Sequence, residues 1–287
     1  MAVAAVTMKT VDMKTVEVYS ASRSQRVRGI FLCAYALLFY AFLYSPIILL
    51  LVLSFNDSQT IGLPFRGGTL RWYEEVFSSK EMLWSIGNSV CLGISSAIIA
   101  TLLALLLALG FREEFRFKNV LMKVILLPVL IPGIVGGVIY LIFFGYSEVP
   151  FGVWTTTLPV HVTWVLPFAF LTLFPRLHGL DRSLEEAAAD LGATPSVTFR
   201  RVTFPLIKPG VVATAMFAFT LSFDEFIRTL FVIGNQRTVP VHLWTLLSDQ
   251  MAPFLPAVGV VIMVISMLVS LIGFAASACA DRSRLPS

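Results

Sequence analysis

Long apolar runs alternate with short polar stretches along the chain. Six runs are long enough to cross a bilayer, which takes about 20 apolar residues in a helix. Within each run the apolar residues are continuous rather than alternating with polar ones, which excludes a transmembrane β-barrel. The pattern therefore predicts an all-α membrane protein with six transmembrane helices, at residues 30–55, 87–109, 120–144, 153–174, 207–232 and 254–279.

Charge adds an orientation to this pattern. The chain is 57% hydrophobic and 13% charged, about half the charge of a soluble domain. Most Lys and Arg residues lie before the first span and in the second and fourth connections, which the positive-inside rule places in the cytoplasm together with both termini. We expect a flexible cytoplasmic lead at 1–29, a membrane domain at 30–280 in contact with lipid, and a cytoplasmic tail at 281–287. The net charge of +4 is no argument for a nucleic-acid partner.

The fourth connection contains a polar segment, residues 183–205, with the signals of a helix start and end. Ser183 and Glu186 have the spacing of a capping box, in which each side chain accepts a backbone N–H of the other residue. Gly192 suits the left-handed position that follows a helix. The segment therefore predicts a first short helix from Ser183 to Gly192.

A second short helix is predicted directly after the first. Thr194 is a candidate cap, with Pro195 at the first helical position. Pro205 and Pro209 mark the end of this helix and the start of the fifth span. Two capped helices indicate a docking surface rather than a simple linker.

The third span contains residues that disturb a helix. In "LLPVLIPGIVGGV", Pro128 and Pro132 each remove a backbone donor, and Gly133 permits close approach of a neighbour. Such residues fit a hinge or the lining of a transport path. The alternative is the ordinary enrichment of Pro and Gly in transmembrane helices.

The fifth span contains two acids near its outer end. Ionisable residues inside a membrane are functional candidates. Arg228 follows Asp224 by four residues and Glu225 by three, so it could pair with either acid. One base against two acids leaves a net negative charge, which favours a cationic substrate. Trp164 and Tyr140 are further candidates for the substrate path.

The sequence gives no sign of an enzyme. Its three histidines are scattered, and we expect His161 to be a packed core residue. No nucleophile–base pair or metal-ligand spacing is present, so we predict no catalytic and no metal site. The phosphate-binding pattern G-x-x-x-x-G-K-[ST] is also missing, so the chain carries no ATP site of its own.

The stretch "EAAADLGATPSVTFRRVTFP" resembles the signature loop of permease subunits of binding-protein-dependent ABC importers. Val202 and Phe204 stand where the family more often has Ile and Leu. The resemblance covers about residues 30–280 and implies the type I ABC importer permease fold, with 183–205 as helices that couple to an ATPase. The matching coupling positions are Glu186, Ala187, Ala188, Gly192 and Pro205.

In that family the loop fits a groove on the ATPase. The resemblance implies that Glu186 faces a basic group there, that Ala187 and Ala188 allow close packing, and that Gly192 sets the bend. The capping box would give Glu186 a different role. Both roles remain open at this point.

Within the family, "LLPVLIPGIVGGV" and "LSFDEFIRTLFV" look like the spermidine/putrescine-type permeases. This similarity implies import of a small polar, cationic, polyamine-like solute across a bacterial cytoplasmic (inner) membrane. An opine, an amino-acid derivative or another small solute is the alternative. A secondary transporter would instead predict inverted repeats, which we do not find.

The resemblance also implies the partners. They are a second permease subunit, two copies of an ABC ATPase that bind ATP and Mg²⁺, and a periplasmic or extracellular solute-binding protein.

Overall fold

The computed structural model describes residues 23–249 and 252–282, without the side chains of 23–27, 274 and 276–282. Most of the predicted lead at 1–29 and of the predicted tail at 281–287 therefore lies outside the described residues. The described chain forms two compact units, one up to Leu49 and one from Leu50 onward.

The described residues contain no β-strand longer than an isolated bridge and form helices. They are α1 (Arg23–Ser54), α2 (Arg71–Ser78), α3 (Lys80–Gly110), α4 (Lys118–Leu130), α5 (Gly133–Tyr146), α6 (Leu158–His178), α7 (Ser183–Asp190), α8 (Pro195–Thr198), α9 (Phe204–Phe223), α10 (Ile227–Val232), α11 (Val239–Asp249) and α12 (Leu255–Arg282).

Helices α3, α6 and α9 pack against one another and form the centre of the second unit. One face of α3 consists of small residues, and Ala100, Ala104 and Ala108 are fully buried there. Gly93 continues this face, since a Cβ atom on it would lie 2.8 Å from the Phe219 ring of α9. Small residues let helix backbones approach closely, which is the main source of packing energy between helices in lipid.

The third span is not the single helix predicted for 120–144. Helices α4 and α5 meet at an angle of 104°. Between them, Ile131 is extended and Pro132 precedes the first residue of α5. The physical cause is Pro132, because a proline excludes the helical conformation from the residue before it and supplies no N–H.

Two contacts show that the bent pair α4–α5 crosses the bundle once. At one end, Arg112 after α3 forms an ion pair with Glu185 on α7, with 2.7 Å between Nη1 and Oε1. At the other end, the Asn88 amide near the start of α3 donates to the carbonyl oxygen of Arg237 at 2.9 Å. Both α3 and α6 are long enough to span. The chain must therefore return between them, which gives six spans.

The fifth span also differs from the predicted 207–232. A π-helical turn, Phe199–Thr203, joins α8 to α9, so the helix continues through Pro205 instead of ending there. The wider turn tolerates a proline because it relaxes the i to i−4 ladder that the missing N–H would interrupt. At its other end the helix stops at Phe223, and α10 begins at Ile227.

Candidate functional site

The break between α9 and α10 gives its two acids different environments. The backbone N–H of Asp224 still donates to the Thr220 carbonyl at 3.1 Å, as the last turn of α9. The Asp224 side chain is exposed, whereas Glu225 is buried. Two carboxylates on adjacent residues thus differ in solvent exposure, a difference that the sequence analysis did not predict.

Arg228 pairs with Glu225. Its Nη1 lies 2.9 Å from Glu225 Oε2, and its backbone N–H donates to Oε1 at 2.9 Å. Both side chains are only 8% exposed. Because both carboxylate oxygens are engaged, Glu225 is neutralised within the fold and also caps the first turn of α10.

Two further helices, α6 and α5, contact the Arg228 guanidinium. Its carbon lies 3.6 Å from the centre of the Trp164 ring on α6, a cation–π contact. On the side of α5, Gly133 and Gly136 lie against it, since a Cβ atom on either would be in van der Waals contact with a guanidinium nitrogen, at 3.5 and 3.6 Å. The predicted path residues Trp164 and Glu225 therefore meet the predicted hinge residue Gly133 at one point.

His161 holds the break in place from α6. It is fully buried, and its Nδ1 lies 2.7 Å from Ser222 Oγ on α9 while its Nε2 lies 2.8 Å from Thr229 Oγ1 on α10. Thr229 donates in turn to the backbone carbonyl of Glu225 at 2.6 Å. A buried imidazole with both nitrogens bonded rigidifies its surroundings, so His161 is the packed residue expected, with a positioning role that its sequence alone did not indicate.

The remaining candidates lie around this centre. Tyr140 is half-buried on α5 and packs against the apolar cluster of Phe144, Val160 and Val232. Pro132 precedes α5 at the break, and Pro128 lies inside α4. Tyr140 is thus close to α10, whereas Pro128 belongs to α4.

At the other end of the bundle, Glu185 joins three elements. Its Oε1 accepts from Arg112 at 2.7 Å, after α3, and from the Thr203 hydroxyl at 2.5 Å, before α9. The hydrogen bond from Arg112 lowers the pKa of the Glu185 carboxyl below its ordinary value, and Thr203 adds to the effect. These contacts connect α7 with α3 and α9. The sequence analysis had singled out Glu186 on α7 and not its neighbour Glu185.

The predicted capping box is wrong. Ser183 is the first residue of α7, and its backbone N–H donates to Asp181 Oδ1 at 2.9 Å. An aspartate two residues earlier thus satisfies the free donor, which leaves Glu186 no role as a cap. Glu186 is exposed on α7. Ala187 on the same helix and Leu191 directly after it are also exposed, Leu191 to 90%.

The turn after α7 follows from Gly192. Its φ of +83° lies in the left-handed region, where a residue with a Cβ is strained. The N–H of Ala193 donates to the Ala188 carbonyl at 3.0 Å, which closes the helix end. Pro195 then begins α8, with Thr194 at the cap position but without a side-chain capping bond.

The chain is similar to a known family of membrane proteins. Residues 100–283 match the family described as "Binding-protein-dependent transport system inner membrane component". The chain is 32% identical over 236 residues to the spermidine/putrescine transport system permease protein PotC of Haemophilus influenzae, covering 82% of this chain and 91% of the relative. It is 31% identical over 258 residues to the putrescine transport system permease protein PotI of Escherichia coli, covering 87% and 91%.

Solved structures share the fold. A bacterial ABC transporter involved in the import of the acidic polysaccharide alginate aligns with a TM-score of 0.70 and 16% identity, covering 89% of this chain and 96% of that one. The MetNI methionine ABC transporter aligns with a TM-score of 0.55 and 15% identity, covering 70% and 99%. With the match to residues 100–283, these likenesses show that the chain belongs to the family of inner membrane permease components of binding-protein-dependent ABC importers.

Proposed function

We propose that this chain and a second permease subunit together line the path of a small, polar, cationic solute of the polyamine type. The observation that carries the proposal is the exposed Asp224 carboxylate beside the buried pair of Glu225 and Arg228. An exposed acid at the end of an apolar span favours a cation. The names of the relatives, which describe spermidine/putrescine and putrescine permeases, support the same class of solute.

Helix α7 is the proposed docking element for the ATPase. Glu186 and Ala187 on it and Leu191 directly after it are exposed, while the contact of Glu185 with Arg112 ties the helix to the bundle. A carboxylate next to apolar groups fits a partner groove that contains a basic group. In this proposal ATP and Mg²⁺ are bound by two copies of the ATPase, and the excess of Lys and Arg around α7 supports a cytoplasmic position for it.

A movement of α7 has two routes into the membrane. One is the ion pair of Glu185 with Arg112, which reaches α3. The other is the continuous helix from Pro195 to Phe223, which leads directly to Asp224. Closure of the ATPase would thereby shift the acidic break, and a solute-binding protein on the opposite side would deliver the solute to it.

Uptake of labelled putrescine tests this proposal. The full transporter is reconstituted in liposomes with its second permease, ATPase and binding protein. We expect uptake that requires ATP and is insensitive to an uncoupler. Asp224→Asn should lower it by about tenfold, as expected for loss of a charge contact worth about 1.4 kcal/mol. Putrescine uptake that is the same in wild type and Asp224→Asn would rule out this role for the carboxylate.

A further inference from the structure

We propose that Arg228 sets the charge selectivity of the path, so that it accepts one ammonium group at the break rather than two. The inference rests on the proposed function, because it concerns which cations pass the same site. Without Arg228, the break would present the adjacent carboxylates of Asp224 and Glu225. With it, the break presents one unpaired carboxylate among the described residues that form it, that of Asp224.

Arg228 is held to Glu225 and away from Asp224. The pair has two hydrogen bonds of 2.9 Å, one from the backbone and one from the side chain. The guanidinium is also stacked on Trp164 at 3.6 Å. Moving it toward Asp224 would break these contacts and leave Glu225 buried without a partner, which is strongly unfavourable. An arginine remains protonated in such a site, so the neutralisation is permanent.

The surrounding helices do not replace the lost negative charge. Helices α5, α6, α9 and α10 contain no Asp or Glu. A solute with one ammonium near the break therefore finds one carboxylate, Asp224. A second ammonium at the same depth would meet the positive Arg228 instead, and like charges repel most strongly where water is scarce.

This inference predicts that selectivity follows the number of free carboxylates. Arg228→Gln removes the counter-ion of Glu225, so an ammonium group of the solute can take the place of the guanidinium beside that carboxylate. The site then pairs with two ammonium groups, at Asp224 and at Glu225, and the ratio of spermidine to putrescine uptake should rise by roughly tenfold for one added charge contact. The double variant Glu225→Gln with Arg228→Gln again leaves only one carboxylate. Its ratio should return to the wild-type value, although it differs from wild type at two positions.

The experiment measures uptake of both labelled amines by the reconstituted transporter, with the same binding protein throughout. Because delivery is common to all variants, a changed ratio reports on the permease. Arg71→Gln is a matched control, since Arg71 also pairs with an acid, Asp57, at 2.9 Å and lies 4.2 Å over Trp72, but is exposed. Its ratio should equal that of wild type.

The possible results distinguish a failure of this inference from a failure of the proposed function. A raised ratio in Arg228→Gln that the double variant reverses supports the role of charge. An unchanged ratio in Arg228→Gln, with wild-type import of amines intact, overturns the inference and leaves the proposed function. A ratio raised equally in the single and double variants also overturns it, because the change would then follow the shape of the side chain. Failure of the complete wild-type transporter to import either amine overturns both.

Discussion

At the scale of single residues, two adjacent glutamates on α7 have opposite environments. Glu185 accepts hydrogen bonds from Arg112 and Thr203, while Glu186 is exposed. A helix rotates about 100° per residue, so neighbours in sequence face different directions. This geometry assigns Glu185 to the interior of the subunit and makes Glu186 available to a partner.

Glu186→Gln should leave the subunit stable and impair coupling. The side chain is exposed and does not cap α7, so we expect a change in unfolding free energy within about 0.5 kcal/mol. Loss of the charge should lower the stimulation of ATPase activity by the loaded binding protein several-fold. Both quantities are measurable on the reconstituted transporter.

Asp190→Asn is the matched control, because it removes the same charge from an exposed position of the same helix. We expect it to keep most of the stimulation. Full stimulation in Glu186→Gln would show that its charge makes no contact with the ATPase.

At the scale of elements, the contacts of Glu185 connect α7 with α3 and α9. These contacts also stabilise the folded subunit, because a hydrogen bond to a charged group contributes about 1.5–3 kcal/mol. The break after α9 is fixed in a similar way, since His161 on α6 bonds to residues on either side of it. Both ends of the helix from Pro195 to Phe223 are therefore anchored to the bundle.

Glu185→Gln should destabilise the solubilised subunit by about 1–2 kcal/mol at pH 7. The folded-state pKa of Glu185 is lowered by Arg112, so its stabilising effect is fully present above its unfolded value of 4.5. As the pH falls from there through the lowered folded pKa, the effect is lost. The thermal unfolding temperatures of wild type and variant should therefore differ at pH 7 and become equal in strong acid.

Glu114→Gln provides the comparison for this experiment. Glu114 pairs with Lys118 at 2.7 Å, but its side chain is 88% exposed, and exposed pairs contribute little. It should have almost no effect at any pH. A difference between wild type and Glu185→Gln that stays constant from pH 7 into strong acid would contradict a role for the carboxylate charge.

At the scale of the whole molecule, contacts at the two ends of α3 decide that the bent pair α4–α5 is one crossing. The contact of Arg112 with Glu185 and that of Asn88 with Arg237 lie at opposite ends of α3. They require the bent pair α4–α5 to cross once, despite its angle of 104°. Backbone without helical bonds at this depth is tolerated beside protein or a water-filled cavity, and the Arg228 guanidinium lies beside Gly133 at the break.

Single cysteines test both the crossings and the predicted orientation. In a variant without its native cysteines, Ser147→Cys after α5 and Thr60→Cys after α1 should react with a membrane-impermeant reagent added outside. Ser196→Cys on α8 should react only after the membrane is opened. Labelling of Ser147→Cys and Ser196→Cys from the same side would contradict a crossing between them.

The sequence by itself determined the class of fold, the apolar runs and the short helix that begins at Ser183 with the bend at Gly192 after it. These features are local, because hydrophobic length, helix signals and a glycine with positive φ depend on neighbouring residues. It also brought Asp224, Glu225 and Arg228 forward as one group, since three or four residues separate neighbours on a helix.

Only the tertiary structure decided which acid Arg228 neutralises, that Glu185 joins α3 to α9, and where the third and fifth spans break. Those outcomes depend on groups distant in the chain, such as Trp164 against Arg228 and Arg112 against Glu185. Spacing along a helix allows Arg228 to reach either acid. The choice between them is made by packing, because a buried charge is stable only where its partner and its neighbours are already in place.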